Sequence, residues 1–163
     1  MHKRQVAVVT AAILASVALS GSVTLAQATE ETAVEVTAAA GSVVNVTLQE
    51  WAVIPDLMSV PAGSVTFNAT NAGPMDPHEL VIVRTDIPAG ELPTRDDGSF
   101  DEEADGVEVV DEIEEFDPGT TQSITVDLEP GHYALLCNLV EEEEGETEAH
   151  YQMGMWIDFE VTA

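Results

Sequence analysis

From Ser42 onward several runs place apolar residues at every second position, and nowhere does a 3.6-residue apolar period persist. Val44, Val46 and Leu48 alternate with Asn45, Thr47 and Gln49, and Val65, Phe67 and Ala69 alternate with Thr66, Asn68 and Thr70. Ile124, Val126 and Leu128 share one face between Asp117-Pro118-Gly119 and Glu129-Pro130-Gly131. In the last run Ile157, Phe159 and Val161 point one way, and Asp158 and Glu160 the other. A period of two is that of strands buried on one face. Pro61-Ala62-Gly63 and Asn71-Ala72-Gly73-Pro74 are turn signals that stop such strands. His78 opens a denser apolar run, Leu80 to Val83, that reads as a central strand, and Tyr133 to Leu136 leads into Cys137. Short strands with Pro-Gly turns between them predict an all-β fold, an antiparallel sandwich or barrel.

Residues 1–28 are set apart. His2, Lys3 and Arg4 precede an apolar stretch from Val6 to Leu19, and Ala26-Gln27-Ala28 supplies the small-x-small site of a signal peptidase. An uncleaved anchor is the alternative, against which stand the shortness of the run and its Ser-Gly ending. With no Cys near that site, lipid attachment is not expected. The predicted organisation is a signal peptide (1–28), a flexible lead-in (29–41) and one domain (42–163) of an exported chain. Beyond residue 28 the 31 acidic residues face two cationic ones, Arg84 and Arg95, a formal charge of −29. Such a surface repels nucleic acid and anionic lipid and attracts cations or basic proteins. Adaptation to high salt would leave the same composition.

Asp96 to Asp117 holds twelve carboxylates and few core-forming residues before Val109, Val110 and Ile113. It is predicted to be a long acidic surface insertion with, at most, a short strand at its end. Within it Asp101, Glu103, Asp105, Gly106 and Glu112 have the spacing of a Ca²⁺ loop. Glu103 and Glu108 depart from the preferred residues and no helices flank the segment, so a solvated charge run is the better reading.

One residue type is present once. Cys137 has no partner for an internal disulfide, and outside the cell an exposed free thiol is oxidised. It is therefore a buried inert side chain, an intermolecular bridge, or a thiolate capped by a metal. Thiolate suits Cu(I), imidazole suits both copper oxidation states, and a weak axial thioether completes a trigonal His₂Cys electron-transfer centre. The chain holds these donors in order: His78 at the start of a strand, Cys137 at the end of one, His150 after a loop, and Met155 at the start of the last strand. Taken singly, His78 reads as a polar residue at a loop–strand junction, Cys137 as a small hydrophobe, and Met153 and Met155 as core filling. The ordered set is what argues for a metal. Cys with two His also suits Zn²⁺; the methionine favours copper.

The segments NAGPMDPHELVIV (71–83), LEPGHYALLCN (128–138) and HYQMGMWIDFEV (150–161) resemble the cupredoxins, the type 1 blue copper proteins of the plastocyanin, azurin and sulfocyanin kind. The resemblance covers most of residues 42–163 and implies a Greek-key β-sandwich with one copper near one end. It implies His78, Cys137 and His150 as the copper ligands and Met155 as the axial sulfur. Met155 is preferred to Met153 because the family's ending places the methionine after the glycine, here Gly154. Two departures stand out. Twelve residues separate Cys137 from His150, with Glu141 to Glu144 in their middle, where the family has a short loop with Pro-Gly. Glu79 follows His78 where plastocyanin-like proteins often have an Asn that ties the ligand loops together, so that tether is absent or replaced.

These features imply a one-electron carrier without enzymatic activity, small-molecule substrate or nucleic-acid ligand, and monomeric. The expected partner is a redox protein with a basic docking patch, such as a c-type cytochrome or an oxidase, met at the glutamates beside His150. A copper storage or delivery protein would use the same ligands, and a metal-free structural sandwich would leave Cys137 a free thiol. Paired His-x-His motifs for further coppers are absent. His132 is expected to face water without a role, and Trp51 and Tyr133 to be core or rim residues.

Overall fold

Alternation turns into strands wherever the sequence shows it, and into several more where it does not. The computed structural model describes residues 41–143 and 145–163. In chain order they form β1 (Ser42–Gln49), β2 (Ala52–Pro55), β3 (Ser59–Pro61), β4 (Gly63–Asn71), β5 (His78–Thr85), a 3₁₀ turn (Ala89–Glu91) and β6 (Val107–Phe116). Then follow β7 (Thr121–Leu128), β8 (Gly131–Leu136), β9 (Val140–Glu143), β10 (Glu146–Ala149), the single helical turn α1 (His150–Met153) and β11 (Trp156–Thr162). The predicted leader, the lead-in up to residue 40, and Glu144 lie outside the described residues. No helix among the described residues is long and apolar enough to cross a membrane.

The strands make a four-stranded sheet, β2-β1-β4-β7, and a five-stranded sheet, β3-β11-β8-β5-β6; β9 and β10 form a hairpin of their own. Val44, Val46, Leu48, Val65, Phe67 and Ala69 of the first sheet bury against Leu80, Ile82, Leu135, Phe159 and Val161 of the second. These are the alternate positions of each strand, so the sandwich follows from period and burial together. Strand β7 returns beside β4 while β5 and β6 pair in the opposite sheet, the connection of a Greek key. Two pairs, β1 with β4 and β3 with β11, are parallel. The expected all-antiparallel arrangement is therefore mixed, because a period of two does not report strand direction.

The acidic segment differs from its prediction. Its second half is β6, a ten-residue strand on the edge of the larger sheet. The pairing of β6 with β5 slips between His78 and Leu80 and again between Ile82 and Val83. Each slip opposes two residues of β6 to one of β5, and that breaks the alternation that would have identified the strand. The first half, residues 96–106, joins residues 86–95 in crossing the outer face of the same sheet. There Ala89, Leu92 and Phe100 bury with Val81, Val83, Ala134, Leu136 and Tyr151 in a second core. It is a strap with an acidic outer side rather than a free surface insertion. Both faces of β5 are covered, which is why Leu80 to Val83 are apolar without a break. The Ca²⁺ spacing is not a single loop, since residues 107–112 are extended strand.

A candidate metal centre at one end of the sandwich

His78 is the first residue of β5 and is fully buried. Asn71 sets the loop before it: its side-chain amide donates to the carbonyls of Asp76 (2.9 Å) and Phe116 (3.0 Å), and its oxygen accepts the Gly73 amide (2.8 Å). Cys137 follows the last residue of β8, on the strand next to β5, and is also fully buried.

Between Cys137 and His150, β9 and β10 pair as an antiparallel hairpin, with Val140 opposite Ala149. The His150 amide donates to the Leu139 carbonyl at 2.9 Å, closing the hairpin at its base. The long spacing thus brings His150 back beside Cys137 as a short loop would, and Glu141 and Glu142 lie along the first strand of the hairpin. Glu141 faces Glu148 directly across it.

Downstream, α1 ends on Gly154 in the left-handed region (φ +106°), a conformation that costs other residues energy. That turn lets the Met155 amide donate to the His150 carbonyl (3.1 Å) and the Met155 carbonyl accept the Cys137 amide (3.0 Å). Met155 is fully buried in the same core as Cys137, whereas Met153 is 46% exposed.

Three donors converge. Nδ1 of His150 lies 3.3 Å from Sγ of Cys137 and 3.4 Å from Nδ1 of His78. Among the described residues, these three form the one group of His, Cys, Asp or Glu side chains close enough to share an ion. An ion about 2.0 Å from nitrogen and about 2.3 Å from sulfur, trigonally surrounded, spaces its donors by about 3.5 Å. The observed separations fit.

Burial pushes the Cys137 thiol up to about 12, overriding the amides that point at its sulfur. Burial also lowers the basicity of both imidazoles, that of His78 further through the neighbouring His150. Without a cation the pocket favours neutral side chains; a bound cation reverses that preference and holds the thiolate. The donor set, two imidazoles and a thiolate with a buried methionine in the same core, suits copper.

The surroundings were largely not legible in sequence. The Glu79 amide donates to the Cys137 sulfur (3.4 Å), and the Glu79 carboxylate accepts the Asn138 amide (2.9 Å). The tether that the sequence left as absent or replaced is replaced, by a carboxylate that burial pushes up to about 7. Asn138 continues it into the strap, exchanging hydrogen bonds with the backbone of Phe100 and donating to Glu102. The Tyr151 hydroxyl donates to the Ala89 carbonyl (2.8 Å) and accepts the Leu92 amide (3.0 Å), tying α1 to the same strap. The Trp51 and His150 rings pack in a T-shaped arrangement, their centroids 4.9 Å apart. Glu50 accepts the Met75 and Asp76 amides, and its second oxygen, like Nε2 of His78, is buried without a hydrogen-bond partner.

Tyr133 is core, with its hydroxyl on the Glu129 carbonyl. His132 is not simply in water. It lies on β8 with Nδ1 2.8 Å from the Thr85 carbonyl and Nε2 3.1 Å from Asp158, contacts that its turn-like Pro-Gly neighbourhood concealed.

The architecture can be compared with solved structures. Reduced auracyanin from Roseiflexus castenholzii superposes with a TM-score of 0.52 at 22% identity, covering 76% of this chain and 99% of that one. The fold is the cupredoxin β-sandwich. Auracyanin B agrees, with a TM-score of 0.50 at 21% identity over 75% of this chain and 89% of the other. No family model matches the sequence, and no curated protein matches it significantly. This cupredoxin sandwich is thus reached through its geometry.

Proposed function

We propose that the protein is a type 1 copper protein that carries single electrons, with His78, Cys137 and His150 as ligands and Met155 as the axial sulfur. The observation that carries this reading is the convergence of two imidazoles and the lone thiol in a fully buried pocket. Copper held there supplies one-electron chemistry by alternating between Cu(II) and Cu(I). The chain's own residues do the rest. Backbone hydrogen bonds from β5, β8 and α1 hold the donors in place, so that a change of charge moves few atoms. Burial excludes water from the sulfur. The dithionite-reduced state of the Roseiflexus auracyanin supports redox chemistry on this fold.

The acidic hairpin beside His150 favours a redox partner with a basic patch, such as a c-type cytochrome or an oxidase, met by a monomer. The basic, apolar N-terminal stretch supports an exported protein. Titration with Cu(II), followed by visible and electron-spin spectra, tests the reading. An intense colour that Cys137→Ser abolishes is expected; a wild-type chain that stays colourless and keeps a reactive thiol overturns it. Electron self-exchange then separates a carrier, which is fast, from a delivery protein, which releases copper readily.

A further inference from the structure

His150 has two ring nitrogens, and only one faces the other donors. Nδ1 is the atom near Cys137 and His78. Nε2 points the opposite way and lies 3.3 Å from Oε2 of Glu141, on the first strand of the hairpin. A carboxylate can only accept, so the shared proton sits on Nε2 and the Nδ1 lone pair is left for an ion. The imidazole itself is fully buried, with the Trp51 ring in T-shaped contact with it, while the Glu141 side chain is 31% exposed.

We propose that Glu141 is a positioning residue of the metal centre: its carboxylate accepts the Nε2 proton of His150, fixes the ring's tautomer and orientation, and makes its Nδ1 a stronger donor. The inference rests on the copper reading above. A carboxylate behind a ligating imidazole raises the ligand's basicity and favours the more highly charged ion, here Cu(II) over Cu(I). It also explains how the hairpin is used. Strand pairing from Val140–Ala149 outward sets the register that presents Glu141 to the ring. Glu148, opposite Glu141, carries the same charge without a hydrogen bond to His150 and serves as the control.

The test compares wild type with Glu141→Gln, Glu141→Ala and Glu148→Gln. Copper-loaded proteins are measured for reduction potential and Cu(II) affinity. Metal-free, ¹⁵N-labelled proteins are measured for the His150 tautomer and the exchange lifetime of its Nε2 proton. In Glu141→Ala, Cu(II) affinity falls about tenfold with Cu(I) affinity held, which raises the potential by about 59 mV for one electron. Glu141→Gln, whose amide oxygen can still accept, falls between, and Glu148→Gln stays within twofold of wild type. The metal-free wild type shows the Nε2–H tautomer, and its proton exchanges at least about tenfold faster in Glu141→Ala, since the hydrogen bond that slows it is gone. Equal potentials and equal exchange in wild type and Glu141→Ala overturn the proposal and leave the copper reading intact. So does a shift in Glu148→Gln as large as in Glu141→Ala, which would make the effect one of net charge. Failure of the wild type to take up copper overturns both.

Discussion

Glu79 grips Cys137 from two directions: its amide donates to the sulfur at 3.4 Å, and its carboxylate accepts the amide of the next residue, Asn138, at 2.9 Å. One residue of β5 therefore holds both the thiol and the chain that leaves it. Glu79 is also next to His78, so these bonds run between the chain neighbours of two of the converging donors.

At a pH below about 7, where burial leaves the Glu79 carboxyl neutral, Glu79→Ala should destabilise the protein by about 1–3 kcal/mol, the cost of leaving a part-buried amide without its acceptor. Glu79→Gln keeps an acceptor oxygen and should cost less. Urea unfolding of the metal-free chains measures both. Equal stability of Glu79→Ala and wild type would show that the tether contributes nothing.

The strap over the larger sheet makes a second prediction. Phe100 is completely buried, so Phe100→Ala should cost about 3–5 kcal/mol. A residue in a freely solvated insertion would cost under about 0.5 kcal/mol. Tyr151→Phe, which strands the Ala89 carbonyl and the Leu92 amide, should cost about 1–3 kcal/mol in the same unfolding assay.

Gly154 occupies φ +106° between His150 and Met155. Gly154→Ala should lose about 1–2 kcal/mol from that backbone conformation. Because the same turn positions Met155, the visible spectrum of the copper-loaded variant should shift as well. An unshifted spectrum with lost stability would separate the turn from the axial position.

If the acidic hairpin guides a basic partner, Glu142, Glu146 and Glu148 changed together to Gln should lower the association rate with a basic cytochrome. They should also flatten its dependence on ionic strength, since steering by charge is screened by salt. Stopped-flow mixing across a salt series measures the slope. An unchanged slope would place the docking surface elsewhere.

Much of this was readable from residues in a row. The apolar alternation of β1, β4, β7 and β11 specified strands and their buried faces, since side chains on a strand point to alternate sides. Burial against a facing sheet needs nothing beyond that pattern. The lone thiol and the order His78, Cys137, His150, Met155 nominated a centre from donor chemistry alone. What sequence order could not decide was pairing across the chain. The slips in β6 that disguised a strand, the parallel partners of β1 and β11, the strap that buries Phe100, and the hairpin that turns Glu141 toward His150 all depend on which distant segments become neighbours. Periodicity records which face of a strand is buried; only the packed sandwich decides what each face meets, because hydrogen bonds and close contacts form between atoms near in space however far apart they lie along the chain.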